Sequence, residues 1–362
     1  TLVFAKTGLL LLPINTERGV GWIEGAGGYA RLDRDNHLGF QAGLGYQAYF
    51  GRVGLGPFEG AVVRLDSRGK IIVTLAAPPQ GQGYQTTFAQ IGADALGVRL
   101  DDVEVVTGDT ATIPFGIGTF ASRVTANAGP SVLQAGAALK QKILAVAGYL
   151  LEAAPADLEL RDGAVHVRGF DARSVGLAEV ARVGNGAVPG FSMPAGVPAG
   201  LEASAYFTPE RAGYASGVHV CVVDVDPDTG HVDIVRYLVG HDCGTVINPL
   251  LVEGQIYGGV AHGVSNALYE EALYDDAGQP LATSYLDYVI PSAREVPRVE
   301  IVHLVTPSPL NPLGVKGAGE SGTIGAPAAI AGAIEDALRP FGVRVTSFPL
   351  NPSRIVEMIH GH

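Results

Sequence analysis

Two short apolar runs, at residues 61–66 and 71–77, flank the polar turn Ser67-Arg68-Gly69-Lys70, which predicts a β-hairpin. A polar loop, Pro78-Pro79-Gln80-Gly81-Gln82-Gly83, follows it. Residues 85–96 then carry Phe88, Ile91 and Leu96 near one helical face. Residues 102–107 read as a strand, 114–122 as a glycine-rich loop and 131–154 as the longest helical pattern in the chain. Another hairpin is expected over 158–167, turning at Asp162-Gly163. The Gly/Pro-rich stretch 190–200 marks the best boundary.

After that boundary the pattern starts again. Strands expected at 218–225 and 232–239 flank Asp226-Pro227-Asp228-Thr229-Gly230. The loop His241-Asp242-Cys243-Gly244 leads into a helix over 249–268, whose apolar residues Val252, Ile256, Val260, Val264 and Leu268 fall four apart. A strand over 299–305, a loop over 306–325 and a helix over 326–338 follow, with Pro327 in the first turn of that helix. Hairpin, polar loop and helix thus occur in each half, as an echo of pattern rather than of residue identity. Hairpins and helices with few βαβ repeats predict an α+β fold. The chain divides into a segment 1–40 and two halves, 41–195 and 196–362.

Composition sharpens this picture at one point. Of 362 residues, 50 are glycine, roughly double the ordinary share of about 7%. No Gly-x-y period is present, which excludes collagen. A chain that is 47% apolar and 17% charged is not wholesale disorder. The glycines therefore belong to packed structure, at positive φ or where something lies against the backbone. A net charge of −12 without a Lys/Arg run argues against nucleic acid as a partner. Cys221 and Cys243, with no CxxC, support neither a disulfide framework nor a protein-held iron–sulfur cluster, and they fit a reducing cytoplasm. No apolar run reaches the ~18 residues that span a bilayer. The short apolar run 9–12 reads as a buried strand.

Three glycine clusters can carry chemistry. Gln80-Gly81-Gln82-Gly83 stands between a strand and a helix, where bare backbone N–H groups and a helix N-terminus suit an anion. It is neither a GxGxxG nor a Walker loop, and the same residues also make an ordinary tight turn. Gly116-Ile117-Gly118-Thr119-Phe120-Ala121-Ser122-Arg123 offers amides, two hydroxyls and a guanidinium. That set suits a phosphate or a planar heterocycle, and equally a solvated surface loop. Gly314-Val315-Lys316-Gly317-Ala318-Gly319-Glu320-Ser321-Gly322 places one carboxylate among glycines just before a helix. Glu320 there is either a general base or a charge set against the helix dipole. A further cluster, Gly258-Gly259-Val260-Ala261-His262-Gly263, lies within a helix and implies close helix packing or a ligand against the helix. His262 is accordingly a core histidine or a ligand contact. His241, Asp242 and Cys243 are consecutive and lack the spacing of a metal site. Together the loops imply a large, polar-edged ligand held by backbone amides.

Taken in order, these segments resemble the C-terminal half of the molybdenum-binding large subunit in the xanthine oxidase/aldehyde oxidase/carbon monoxide dehydrogenase family. The residues that carry the resemblance are Gly81-Gln82-Gly83-Tyr84-Gln85-Thr86-Thr87-Phe88-Ala89-Gln90, Gly108-Asp109-Thr110 and the Gly116 to Arg123 cluster. In the second half they are Asp242-Cys243-Gly244, Ile247-Asn248-Pro249, Val252-Glu253-Gly254-Gln255, and Thr306-Pro307-Ser308-Pro309 through Gly319-Glu320-Ser321-Gly322. The resemblance implies the molybdopterin-binding domain of molybdenum hydroxylases, built from two related hairpin-plus-helix halves. It implies that Gln80, Gly81, Gln82 and Gly83 contact the pterin and the molybdenum region. Thr119, Phe120, Ala121, Ser122 and Arg123 would hold the pterin and its phosphate side, and His262 and Gly319 would touch the cofactor. Glu320 is implied as the base in oxidative hydroxylation of an N-heterocycle, purine or aldehyde with water-derived oxygen. The implied cofactor is molybdopterin with molybdenum, in the cytosine dinucleotide form usual in bacterial relatives, with no protein side chain on the metal. Electrons would pass through 2Fe–2S centres to FAD in partner subunits.

Two departures stand out. The family's N-terminal half, with its Gly-Gly-Gly-Phe-Gly loop, is absent from this sequence. The chain is therefore expected to be part of a split molybdenum subunit, as in bacterial nicotinate dehydrogenase. A second Mo-subunit, a flavoprotein and an iron–sulfur protein would complete it. The other departure is His262, where many members carry Gln. Two alternatives stay open: a carbon monoxide dehydrogenase-type subunit, and a non-catalytic cofactor-binding or assembly protein, against which the presence of Glu320 speaks.

Overall fold

A computed structural model of the chain describes residues 41–53, 58–186 and 200–361, Gly56, and two short paired strands, β1 (Val3–Phe4) and β2 (Leu9–Leu10). The rest of the 1–40 segment and the boundary stretch 190–199 lie outside the described residues. β3 (Gln41–Val53) precedes the expected hairpin of β4 (Glu59–Leu65) and β5 (Ile71–Leu75). Asp66 closes that hairpin, because its Oδ1 accepts from the Arg68 and Lys70 amides at 2.9 Å each. From β5 the chain enters α1 (Tyr84–Leu96), returns as β6 (Val103–Thr107) parallel to β5, and enters α2 (Val124–Leu150). A small sheet of β7 (Leu158–Arg161), β8 (Ala164–Val167) and β9 (Phe170–Gly176) and the short α3 (Leu177–Gly184) follow. Asp162 and Gly163 turn β7 into β8 with φ of 52° and 80°, as an Asp-Gly pair predicts.

After β10 (Glu202–Phe207), the strands β11 (Gly213–Val225) and β12 (Val232–Asp242) form the second large hairpin. Then come α4 (Pro249–Leu268), β13 (Val299–Leu304) parallel to β12, α5 (Ser321–Ala337) and α6 (Pro352–His360). The two main sheets therefore share one plan, with orders β10-β4-β5-β6 and β3-β11-β12-β13. In each, a hairpin leads through a helix to a parallel strand and then to a second helix. The edge strand of each sheet comes from elsewhere in the chain: β3 pairs with β11, and β10 pairs with β4. The α+β fold is thus a repeated unit whose copies exchange edge strands. Among the described residues, no helix is long and apolar enough to cross a membrane.

Two helices begin earlier than the pattern predicts. α2 starts at Val124 rather than 131, and α5 at Ser321 rather than 326. In both, the seventh residue is a proline, Pro130 and Pro327, and proline reads as a helix start or break. Tertiary packing outweighs the lost N–H. Beside Pro130, Ser131 Oγ donates to the Glu59 carbonyl of β4 at 2.7 Å. Around Pro327, Ala326, Ala329 and Ile330 are fully buried. Pro130 and Pro327, each seventh in its helix, also carry the repeat into residue identity at one position.

α1 and α2 cover the first sheet around Val73, Phe88, Leu96 and Val132, and α4 and α5 cover the second around Val223, Tyr237, Val260 and Ile330. α4 and α5 meet at glycines. A Cβ on Gly259 would stand 2.6 Å from the Gly322 Cα, and one on Gly263 would stand 2.3 Å from the Ala326 Cβ. The 258–263 cluster therefore serves helix packing. Gly259→Ala forces the helices apart, and it is expected to cost about 1–3 kcal/mol of stability, read as a lower denaturation midpoint. A midpoint equal to wild type would show that the helices do not cross this closely.

Candidate functional site

The loops at the C-terminal ends of β5, β6, β12 and β13 meet in one cleft of about 250 Å³. The helices that follow those strands all begin there. Tyr84 and Thr87 of α1, Val124 and Thr125 of α2, Val252 and Gln255 of α4, and Glu320 at the entry to α5 line the cleft. α1, α2 and α5 have no side-chain cap bond, whereas Asn248 caps α4, its side chain accepting from the Leu251 amide at 3.1 Å. Four helix N-termini direct partial positive charge at one volume, which is the arrangement of an anion site.

Gln80 and Gln82 enter from the first loop, and Gln82 Oε1 accepts from the Gln80 amide at 2.5 Å. Gly81 and Gly83 beside them have φ of 91° and 78°, left-handed conformations that glycine adopts without strain. At Gly81 a Cβ would meet nothing within 4 Å, so conformation alone selects glycine, and the backbone is left bare. Thr119 ties the first two loops together. Its Oγ1 donates to the Pro78 carbonyl at 2.9 Å and accepts from the Tyr84 hydroxyl at 2.9 Å. Phe120 stands exposed at the rim. The Arg123 guanidinium holds the loop from beneath. It is fully buried, ion-paired with the equally buried Glu59, and it donates to the carbonyls of Phe58 at 2.5 Å and Gly118 at 2.8 Å. Glu59 also accepts from the Ile117 and Gly118 amides at 3.3 and 3.4 Å.

Ala121 and Ser122 take φ of 50° and 48°, a left-handed pair that costs non-glycine residues on the order of 1–3 kcal/mol each. The turn delivers Ser122 to Glu320. Ser122 Oγ donates to Glu320 Oε2 at 2.5 Å and accepts from the Glu320 amide at 3.0 Å. At Gly319 a Cβ would lie 3.4 Å from Ser122 Oγ and 3.7 Å from Gln255 Oε1. Ser122 and Glu320 each stand at the entry to the second helix of their half, so the repeat itself brings them together.

The facing wall holds Cys243, Thr245, Ile247 and Lys316. Lys316 Nζ donates to Asp242 Oδ2 at 3.1 Å and to Thr306 Oγ1 at 2.7 Å. Burial pushes the Asp242 carboxyl up, but bonds from Thr306, the Gly244 amide and Lys316 outweigh it and hold the carboxyl below the usual range. Burial lifts the Cys243 thiol to about 11, so it stays protonated at neutral pH and is a poor nucleophile. Among the described residues, no group of three or more His, Cys, Asp or Glu is placed to hold a metal ion.

Gln80, Gln82, Thr119, Phe120, Ala121, Ser122, Arg123, Gly319 and Glu320 are thus brought to one cleft, with Gly81 and Gly83 between its lining residues. His262 is not among the lining residues. It is exposed on α4, with Nδ1 3.5 Å from Thr323 Oγ1. The α4 amide that reaches the cleft is Gln255. Spacing alone does not single out Gln255, Thr125 or Lys316. For Gln255 the available signal is Asn248-Pro249, a helix start that puts 248, 252 and 255 on one face.

Residues 21–297 match the model of the molybdopterin cofactor-binding domain. The chain belongs to that family. Among curated relatives of this molybdopterin-binding chain, the nicotine 6-hydroxylase large subunit of Paenarthrobacter nicotinovorans is 41% identical over 303 residues, covering 83% of this chain and 37% of the relative. The carbon monoxide dehydrogenase large chain of Hydrogenophaga pseudoflava is 36% identical over 310 residues, covering 86% and 38%. Quinoline 2-oxidoreductase from Pseudomonas putida 86 superposes with a TM-score of 0.79 at 40% identity, covering 89% of this chain and 42% of that one. The chain therefore spans 37–42% of the length of these relatives. The family's cofactor suits the cleft. Molybdopterin joins a polar-edged pterin ring system to an anionic phosphate. The cleft offers bare glycine backbone, neutral amides and hydroxyls, and four converging helix N-termini.

Proposed function

We propose that this chain is the cofactor-binding part of a molybdenum hydroxylase acting on an N-heterocycle, with Glu320 as its base. The observation that supports this most is the Glu320 carboxylate, held by Ser122 where four helix N-termini converge. The cleft would hold molybdopterin in its cytosine dinucleotide form, and that group when bound supplies the two-electron oxygen-transfer chemistry that side chains lack. Gly81 and Gly83, with Gln80 and Gln82, would present backbone and side-chain amides to its polar edge. The bare starts of α1 and α2 would face its phosphates. Thr119, Phe120, Ala121 and Ser122 form the opposite wall, kept in place by Arg123 and Glu59. Gly319 leaves room beside the carboxylate, and Gln255 takes the place of His262 as the contact from α4. Because Ser122 occupies Glu320 Oε2, Oε1 is the oxygen left open to take up a proton.

Glu320 is exposed in this chain, and Phe115, Ile117 and Phe120 stand uncovered in the loop beside it. The remainder of the molybdenum subunit, on a second chain, would close the site and exclude water. A flavoprotein and a 2Fe–2S protein would carry the electrons away, in the cytoplasm. The carbon monoxide dehydrogenase large chain at 36% identity favours one second reading, a subunit of that type.

The complex that co-purifies with this chain is expected to contain stoichiometric molybdenum and to release CMP on acid hydrolysis. With a dye acceptor it should oxidise nicotine or quinoline faster than xanthine, benzaldehyde or carbon monoxide. Absence of molybdenum sinks the cofactor reading, and carbon monoxide as sole substrate selects the second one.

A further inference from the structure

A second set of polar side chains lies behind the cleft and takes no part in lining it. His219 of β11, Tyr237 and His241 of β12, and Tyr49 of β3 are 0%, 0%, 0% and 3% exposed. Their registers place them on one face of the second sheet, the face that α5 covers. Buried polar groups of this kind are costly unless bonded. Here the His219 Nδ1 lies 2.9 Å from the Tyr237 hydroxyl, and its Nε2 lies 3.1 Å from the backbone carbonyl of Ser321. The Tyr49 hydroxyl bonds His241 Nδ1 at 3.0 Å. The His219 ring stands edge-on to both tyrosines, with centroids 5.7 and 5.8 Å apart. Gly325 lies over the imidazole, where a Cβ would come within 2.6 Å of His219 Cδ2.

This geometry sets the tautomer. A carbonyl only accepts, so Nε2 carries the proton and donates to Ser321. Nδ1 then accepts, and Tyr237 donates to it. Burial agrees with a neutral ring, since it pushes His219 down to about 4. Ser321 is the first residue of α5 and directly follows Glu320. Its carbonyl is therefore anchored to the sheet, and the place of the preceding residue follows from that anchor.

We propose that His219 is a positioning residue: by donating to the Ser321 carbonyl it fixes the first turn of α5 and thereby the carboxylate of Glu320. This rests on the reading of Glu320 as the base. The test uses the assembled complex with His219→Leu and His219→Gln, and with Glu320→Gln as a control. A glutamine amide reaches the place of Nε2 and restores the donor, whereas leucine has none. Hydrogen exchange of the peptide 320–326 is expected to quicken by about tenfold in His219→Leu and to return toward wild type in His219→Gln. With the fastest substrate of the panel above, kcat in His219→Leu falls by about tenfold or more at unchanged KM and molybdenum content, and His219→Gln recovers most of it. Wild-type exchange and kcat in His219→Leu overturn the inference, and so does an equal loss in both variants. If His219→Leu does not assemble, His219→Asn, whose shorter amide does not reach the Ser321 carbonyl, decides in the same way. Full turnover by Glu320→Gln refutes the base separately, while the exchange data still decide whether His219 holds α5.

Discussion

Glu320→Gln in the assembled enzyme is expected to lower kcat by about 10²- to 10⁴-fold and to leave the molybdenum content at the wild-type level. Glutamine has the shape of glutamate and keeps an oxygen that accepts from Ser122 Oγ, the bond that holds the side chain at 2.5 Å. It also keeps the backbone amide that donates to the same Oγ at 3.0 Å. The substitution therefore preserves the turn at Ala121-Ser122, the start of α5 and the wall of the cleft. It removes one property, a carboxylate oxygen that can take up a proton. A group used only in the transition state lowers kcat and kcat/KM together and leaves KM nearly unchanged. Steady-state kinetics and metal analysis on one preparation separate this outcome from loss of cofactor. Turnover within about threefold of wild type would falsify the role of Glu320 as base.

The second large effect is on folding. Glu59→Ala is expected to destabilise the protein by about 3–5 kcal/mol, because it leaves the Arg123 guanidinium buried without its counter-charge. Both side chains are fully excluded from solvent, so water cannot take the place of the lost carboxylate. The change also strips the Ile117 and Gly118 amides of their acceptor. At this chain length the melting temperature should fall by roughly 4–7 °C. Arg123→Lys should also destabilise, since one ammonium cannot reproduce the planar fork that meets Glu59, the Gly118 carbonyl and the Phe58 carbonyl. Thermal unfolding of the purified complex measures both. Melting temperatures equal to wild type would mean that the pair does not hold the loop.

Elements with strong local signals are readable from the sequence. α4 begins at Pro249 and ends at Leu268 as its pattern predicts, because Asn248-Pro249 sets its start and one apolar residue every four sets its face. The turn at Asp162-Gly163 is equally local. The starts of α2 and α5 are not readable, because Pro130 and Pro327 mimic helix starts and only packing against the sheets overrides them. The edge strands β3 and β10 escape for a different reason. Each pairs with a strand far away in the chain, and no periodicity reports on distant partners.

The same division runs through the site. Composition and order in the sequence were enough to pick out Gln80 to Gly83, Gly116 to Arg123 and Gly314 to Gly322 as candidate segments, with Glu320 as the carboxylate among them. Glycine content and residue type are properties of the chain, and they persist whatever the fold. Direction is a property of three-dimensional packing. Only the tertiary structure turns the Arg123 guanidinium under its loop onto Glu59, assigns the 258–263 glycines to the α4–α5 crossing, and brings Gln255 rather than His262 to the cleft. It also joins Ser122 to Glu320 across the two halves, a contact between residues 198 apart in sequence, because the repeat places the entries of α2 and α5 face to face.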